Sequence, residues 1–319
     1  MSAPDFQCAE LPEQLRGIPR AVYALGTFDG VHMGHRRVLE GVAELGRKCG
    51  AHPVAIFFDP SPKELFAGRP LRQRLISTAD KLKCLKELGM KAAVCWPFTR
   101  ELAALSPAQF LEKYFFGPQT PAAAGFAVGE DWHFGRDNAG NAETLRELAA
   151  ARGAQVLVVP HFCDEGGRIS STRIRTLISG GKVSEAEKLL GHPFCLSGTV
   201  SAGAGIAGGK LHCPTANLQD DRMILPPYGV YAALVGIDDE APARPGIVYI
   251  GDAPTIRGEN NGLPIVEIHL FDFSGDLYGR NVSVRPAAFL RPSMRFPDQE
   301  ALKRQIAADV AETRRILKI

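Results

Sequence analysis

The chain has 319 residues, 45% hydrophobic and 23% charged, with 37 Lys and Arg against 35 Asp and Glu and a formal charge of +2. That composition excludes wholesale disorder and fibrous repeats, and the length favours two domains, each able to bury a core. The near-balance of charge argues against a basic nucleic-acid coat and leaves room for a local anion site. Seven cysteines, at 8, 49, 84, 95, 163, 195 and 213, include no CxxC pair and are odd in number, which reads as reduced thiols in a reducing compartment. Met1-Ser2-Ala3-Pro4-Asp5 lacks the basic stretch and apolar run of a secretory signal, and no apolar run reaches membrane-spanning length. A cytoplasmic location without a membrane partner is the expectation.

From residue 21 to about 190, short apolar runs alternate with amphipathic stretches. The runs 21–25, 54–58, 92–96, 124–128 and 156–159 are predicted as buried strands, and 35–49, 78–88, 107–116 and 142–152 as helices. This alternation implies an α/β unit with a doubly wound parallel sheet and helices on both faces, whose ligands bind beyond the carboxyl ends of the strands. The pattern changes after Gly191-His192-Pro193. Short alternating runs broken by Gly, Pro and Asn over 194–284 predict an antiparallel barrel or sandwich, and 298–317 one closing helix. Residues 186–194 are the predicted boundary, and no internal repeat crosses them.

The first run ends in Gly26-Thr27-Phe28-Asp29-Gly30-Val31-His32-Met33-Gly34-His35 and feeds a helix. Unpaired N–H groups and the helix dipole make such a terminus an anion site. Gly34 permits close backbone approach, and His32 and His35, three apart, can face one point. The spacing matches neither the dinucleotide fingerprint nor a Walker A loop. The plainer alternative is a tight glycine turn with surface histidines. Ser170-Ser171-Thr172-Arg173-Ile174-Arg175 follows the fifth run. Ser171 and Thr172 can cap a helix to residue 179 while Arg173 and Arg175 add positive charge. An ordinary cap with solvated arginines is the alternative there.

With Val128-Gly129-Glu130-Asp131-Trp132-His133-Phe134-Gly135 between them, these strings, in this order, resemble the adenylyltransferase half of bacterial bifunctional riboflavin kinase/FAD synthetases. The resemblance implies transfer of AMP from ATP to FMN, yielding FAD and pyrophosphate. FMN's phosphate is already anionic, so alignment and charge neutralisation dominate over proton transfer. By family position, His32 and His35 hold the ATP phosphates and, with Arg175, make the catalytic set. Ser171, Thr172 and Arg175 bind the triphosphate; Gly26, Phe28 and Gly34 belong to the nucleotide site; Asp131 lies in the nucleotide and flavin pocket. Trp132 and Phe134 either stack on a ligand ring or are core aromatics. Phe58-Asp59-Pro60-Ser61-Pro62 has serine where the family usually has histidine, and 136–141 lacks a common arginine.

The second half carries Cys213-Pro214-Thr215-Ala216-Asn217-Leu218, Leu225-Pro226-Pro227-Tyr228-Gly229-Val230-Tyr231, Val266-Glu267-Ile268-His269-Leu270 and Asp276-Leu277-Tyr278-Gly279, which resemble the riboflavin kinase module of the same enzymes. Thr215 and Asn217, hard oxygen donors two apart, would face one side of a strand and could hold Mg²⁺ with the phosphates. Glu267 is the expected base toward the riboflavin hydroxyl. A strand entry after a turn and a solvated strand carboxylate are the alternatives for these positions taken singly. Gly208-Gly209 and Leu211-His212-Cys213 depart from the family's flap, where Lys210 restores a charge for nucleotide binding. Tyr249, Ala253 and Ser293 are further departures. His212 beside Cys213 lacks two further ligands for zinc. The resemblance thus implies a nucleotidyltransferase domain over 1–185, a linker over 186–194 and a small antiparallel β-barrel riboflavin kinase domain with a C-terminal helix over 195–319. Its substrates are riboflavin, FMN and ATP; a homo-oligomer stays open. The competing readings are a FAD synthetase whose second module binds flavin without phosphorylating it, and a non-catalytic flavin or nucleotide sensor.

Overall fold

The computed structural model describes residues 6–69, 71, 73–201, 215–219, 222–238, 240–252, 264–273 and 275–319. The chain divides into two compact units, Met1–Leu71 with Thr78–Ser171, and Arg72–Ser77 with Thr172–Ile319.

The first unit is built on β1 (Gln7–Ala9), β2 (Arg20–Leu25), β3 (His52–Phe58), β4 (Ala92–Trp96), β5 (Ala122–Gly129) and β6 (Gln155–Val159), a six-stranded sheet of order β1-β4-β3-β2-β5-β6. Every pairing in this sheet is parallel; a separate antiparallel hairpin, β7 (Cys163–Asp164) with β8 (Gly167–Arg168), follows β6. The five predicted strands are present, and β1 is an additional edge strand whose three residues are too few to show a period. The helices are α1 (Met33–Cys49), α2 (Pro62–Ala67), α3 (Thr78–Glu87), α4 (Arg100–Ala103), α5 (Pro107–Tyr114) and α6 (Ala142–Ala150). Alternate strand residues sort to the two faces. Tyr23, Leu25, Ile56, Val94, Trp96, Phe126 and Val128 join Phe110 and Leu111 of α5 and Leu145 of α6 in one buried cluster. The opposite face packs on α1. There, a Cβ on Gly41 of α1 would come 2.6 Å from Leu157, and one on Gly125 of β5 would come 3.1 Å from Leu45, so both glycines permit close helix–sheet approach.

The second unit takes in α7 (Ser171–Ser179) from its second residue and α8 (Val183–Leu190) and continues into β9 (Leu196–Ser201), β10 (Thr215–Gln219), β11 (Gly229–Ile237), β12 (Glu240–Gly251), β13 (Ile265–Leu270) and β14 (Asn281–Arg291). These six strands close into a barrel of order β10-β13-β12-β11-β14-β9, so of the two predicted antiparallel forms it is the barrel. Closure comes from β9, which pairs with both β10 and β14. α8 occupies 183–190, including the first half of the segment read as a boundary, and its Glu187 accepts from Arg285 of β14 and from the Phe194 backbone. α9 (Gln299–Leu317) is the predicted closing helix, capped by the Asp298 carboxylate on Ala301 N–H. Ile306 and Val310 of α9 pack on the buried Val230, Ile247 and Phe271, as do Tyr249 and Leu290.

Candidate active sites

In the first sheet the chain moves from β2 to β3 and β4, then returns to β5 and β6 on the other side of β2. A sheet wound this way opens a crevice at the carboxyl ends where the direction reverses, here between β2 and β5. The turn from Gly26 to His35 leaves β2, and Gly129 to Asp131 leaves β5, so two of the three motif strings flank that crevice.

The turn is tightly determined. Gly26 N–H donates to Ile56 O at 3.2 Å. Phe28 and Val31, both buried, adopt φ of 46° and 40°, left-handed values that are costly for a side chain and worst for a β-branched one. The Phe28 ring lies against Gly26, where a Cβ would come within 3.0 Å of it. His32 caps α1, its Nδ1 accepting from His35 N–H at 3.2 Å, so in the neutral ring Nε2 carries the proton and remains a donor. The two imidazoles stack at 3.6 Å with 17° between planes, and Phe28 meets His35 edge-on at 5.5 Å. A Cβ on Gly34 would sit 3.1 Å from the His32 ring and 3.5 Å from Ile169 O.

Ser171 differs in detail from the expected cap. It is the first residue of α7, and its hydroxyl donates to Asp29 O of the turn at 3.0 Å. Thr172 and Arg175 follow on the same helix and fall in the second compact unit, where Arg175 Nε donates to Gln73 O at 2.7 Å. Asp131 pairs with Arg168 at 2.5 Å. Burial pushes its carboxyl up, but the hydrogen bond and charge of Arg168, with smaller help from His161, outweigh this and hold it below the usual carboxylate value. Phe134 is a core aromatic, buried and packed on Phe110; Trp132 stacks on it at 4.5 Å and is half-buried.

Motif reading missed Lys81 and an aromatic group. Lys81, buried on α3, donates from Nζ to Thr27 O at 3.0 Å; a lysine four positions before buried Leu85, at core spacing, was the available signal. At the carboxyl ends of β3 and β4, Phe58 and Phe98 meet at 5.0 Å, and Phe66 of α2, 66% exposed, joins Phe98 at 6.4 Å.

In the second unit, register builds the site. Asn217 of β10 lies directly opposite Glu267 of β13, which in turn lies opposite Tyr249 of β12; Thr215 is opposite His269. Along β13, Val266, Ile268 and Leu270 are buried while Glu267 and His269 are half-buried, so the carboxylate is on the less covered face. Asn217 Oδ1 is buried with no hydrogen-bond partner among the described residues, an acceptor left for a cation or a ligand donor. Tyr249 Oη bonds Ser293 Oγ at 3.2 Å, joining two of the departures to each other. Lys210, Gly208, Gly209, His212, Cys213 and Ala253 lie outside the described residues.

Two family models match the chain, FAD synthetase over residues 16–173 and riboflavin kinase over 190–317. The bifunctional riboflavin kinase/FMN adenylyltransferase of Escherichia coli K12 is 38% identical over 288 residues, covering 90% of each chain. That of Pseudomonas fluorescens is 36% identical over 296 residues, covering 92% of each. The chain belongs to the bifunctional riboflavin kinase/FMN adenylyltransferase family. A solved structure described as a macrolide-efflux protein from Streptococcus pneumoniae superposes with a TM-score of 0.78 at 29% identity, covering 98% of this chain and 99% of that one. No helix among the described residues is long and apolar enough to cross a membrane. Within the family frame, Ser61, present where histidine is usual, caps α2 in a reciprocal box with Glu64.

Proposed function

We propose that each unit holds one of two reactions run in series, with the residue roles that follow. Riboflavin is phosphorylated to FMN with ATP, and FMN is adenylylated to FAD with release of pyrophosphate. In the second unit Glu267 accepts the proton of the riboflavin hydroxyl as its oxygen bonds to the γ-phosphorus and the bond to ADP breaks. Asn217, whose Oδ1 is buried and unsatisfied among the described residues, fits a hard cation, and Mg²⁺ held by Asn217 and Thr215 would offset phosphate charge there. Lys210 adds positive charge over the same nucleotide. The cross-strand pairing of Asn217 with Glu267 is the observation that carries this half, since it sets the acceptor beside the base.

In the first unit an FMN phosphate oxygen attacks the α-phosphorus of ATP and pyrophosphate leaves. His32 and His35 donate to the phosphates at the α1 terminus. Ser171 binds the triphosphate, and Gly26, Phe28 and Gly34 shape the backbone around it; Thr172 and Arg175, given the same role by family position, fall in the second compact unit. Asp131 accepts from nucleotide or flavin donors, and the exposed ring of Phe66, edge-on to Phe98, offers an apolar face for the flavin ring. Both reactions consume ATP, which on this reading places the enzyme in the cytoplasm. The chemistry divides along 186–194, with the adenylyl-transfer domain before it and the kinase domain after.

The test is separation of flavins after incubation with riboflavin, ATP and Mg²⁺. Wild type is expected to make FMN and then FAD. Glu267→Ala should make neither from riboflavin but still convert supplied FMN, and His35→Ala should stop at FMN. Absence of FMN in the wild-type reaction would refute an active kinase module.

A further inference from the structure

We infer that Lys81 is a positioning residue for adenylyl transfer, acting through the backbone of the phosphate turn. The inference rests on the assignment of that turn to the ATP phosphates. Lys81 is on the first turn of α3 and is only 8% exposed. Its ammonium lies 4.2 Å above the centroid of the buried Phe57 ring and donates to Thr27 O at 3.0 Å. A lysine is costly to bury, so such a placement implies that its charge and donor do something the fold needs at that point.

Thr27 is where the chain leaves extended geometry. Gly26 before it is still tied to β3 through Ile56 O, and Phe28 after it is already left-handed. The Thr27–Phe28 peptide therefore sets where the Phe28 ring lies, and that ring is packed between Gly26 and His35. Lys81 fixes the carbonyl of this one peptide from beneath, and Ser171 fixes the next carbonyl but one, Asp29 O, from α7. These two side-chain bonds hold the backbone between β2 and the His32 cap, where small errors move both imidazoles.

The experiment uses the full chain. Lys81→Met keeps the stem and removes donor and charge; Lys81→Gln keeps an N–H donor without charge; Lys81→Arg keeps both. Both tryptophans, Trp96 and Trp132, lie in the first unit, so tryptophan emission and its denaturant midpoint report that unit's fold, while riboflavin phosphorylation reports the other. Among variants with native emission, Lys81→Met or Lys81→Gln is expected to lower kcat for FMN adenylylation about 10- to 100-fold with KM for FMN within a few-fold, the scale of a displaced reacting group. Lys81→Arg should recover most of the loss, and FMN formation should be unchanged. A natively folded Lys81→Met or Lys81→Gln with kcat within two-fold of wild type overturns the role. So does failure of both to fold, which would make Lys81 a residue of stability alone. His35→Ala, run beside them, separates the two ideas. If it too leaves FAD formation intact, the assignment of the turn fails; if it abolishes FAD formation while Lys81→Met does not, only the positioning role fails.

Discussion

Asp309 on α9 is 4% exposed and accepts from Arg291 of β14, through Nε at 3.0 Å and Nη2 at 2.8 Å, and from Gln305 at 2.9 Å. The two side chains are 15% and 5% exposed, so the pair is shielded from water. Asp309→Leu would leave the Arg291 guanidinium partly buried beside an apolar group. Stranding one partner of a buried pair costs about 3–5 kcal/mol, whereas replacing both with apolar side chains is often neutral. The expected loss for Asp309→Leu is therefore about 3 kcal/mol or more in the second unit, and for Arg291→Met with Asp309→Leu about 1 kcal/mol or less. With urea slopes of about 1–3 kcal/mol/M, the single variant moves its midpoint by roughly 1–3 M. Far-UV circular dichroism follows both units and tryptophan emission the first alone, so the shift should appear in the former and not the latter. Because α9 packs on Val230 and Ile247 of the barrel that carries Glu267, FMN formation should fail at lower urea than FAD formation from supplied FMN. If the double variant is as unstable as the single, the clasp is not electrostatic and the reasoning is refuted.

Three other outcomes are expected. Gly34→Ala brings a Cβ to 3.1 Å from His32 and should reduce FAD formation about 10- to 100-fold by displacing the imidazole pair, with riboflavin phosphorylation unchanged; equal activity would show that the pair tolerates the shift. Asn217→Ala should lower riboflavin phosphorylation and raise the Mg²⁺ needed for half-maximal rate, while FMN adenylylation keeps its Mg²⁺ dependence, checked by titrating Mg²⁺ in both assays. Asp131 is raised by burial but lowered further by Arg168, so its contribution is complete above the ordinary carboxylate value, roughly 3.9, and is lost as pH falls through its depressed folded value. Arg168→Gln should therefore shift the acid loss of FMN adenylylation to higher pH, and an unmoved acid limb would dissociate Asp131 from that reaction.

Much of the fold was legible because local signals agreed. The runs at β2 through β6 are short, apolar and bounded by amphipathic stretches, and such strands change little in tertiary context. The three residues of β1 gave no period, and α8 was hidden because 183–190 sits where composition already shifts toward the barrel. The motif residues of the first turn could be found because they are contiguous; Lys81 could not, because its partner is 54 positions away. The candidate kinase site shows the same limit. Asn217 and Glu267 are each unremarkable on a strand, and only the register of β10 on β13 makes them neighbours. Barrel closure is equally non-local, since it depends on β9 finding both β10 and β14.

The strain in the first turn explains why so many weak contacts gather there. Phe28 and Val31 in left-handed geometry cost about 1–3 kcal/mol each, and such conformations persist only where the surroundings over-determine them. The surroundings here are specific: Gly26 flat against the Phe28 ring, Lys81 on Thr27 O, Ser171 on Asp29 O, and a fully buried Val31 side chain. Folding meets that cost before any nucleotide arrives. A flexible turn would instead have to order itself on binding, at the expense of affinity or rate. On the proposed assignment of this turn to the ATP phosphates, the strained, clamped geometry would hold a donor set fixed in advance, the main advantage a protein can supply to a reaction between two anions that needs alignment more than proton transfer.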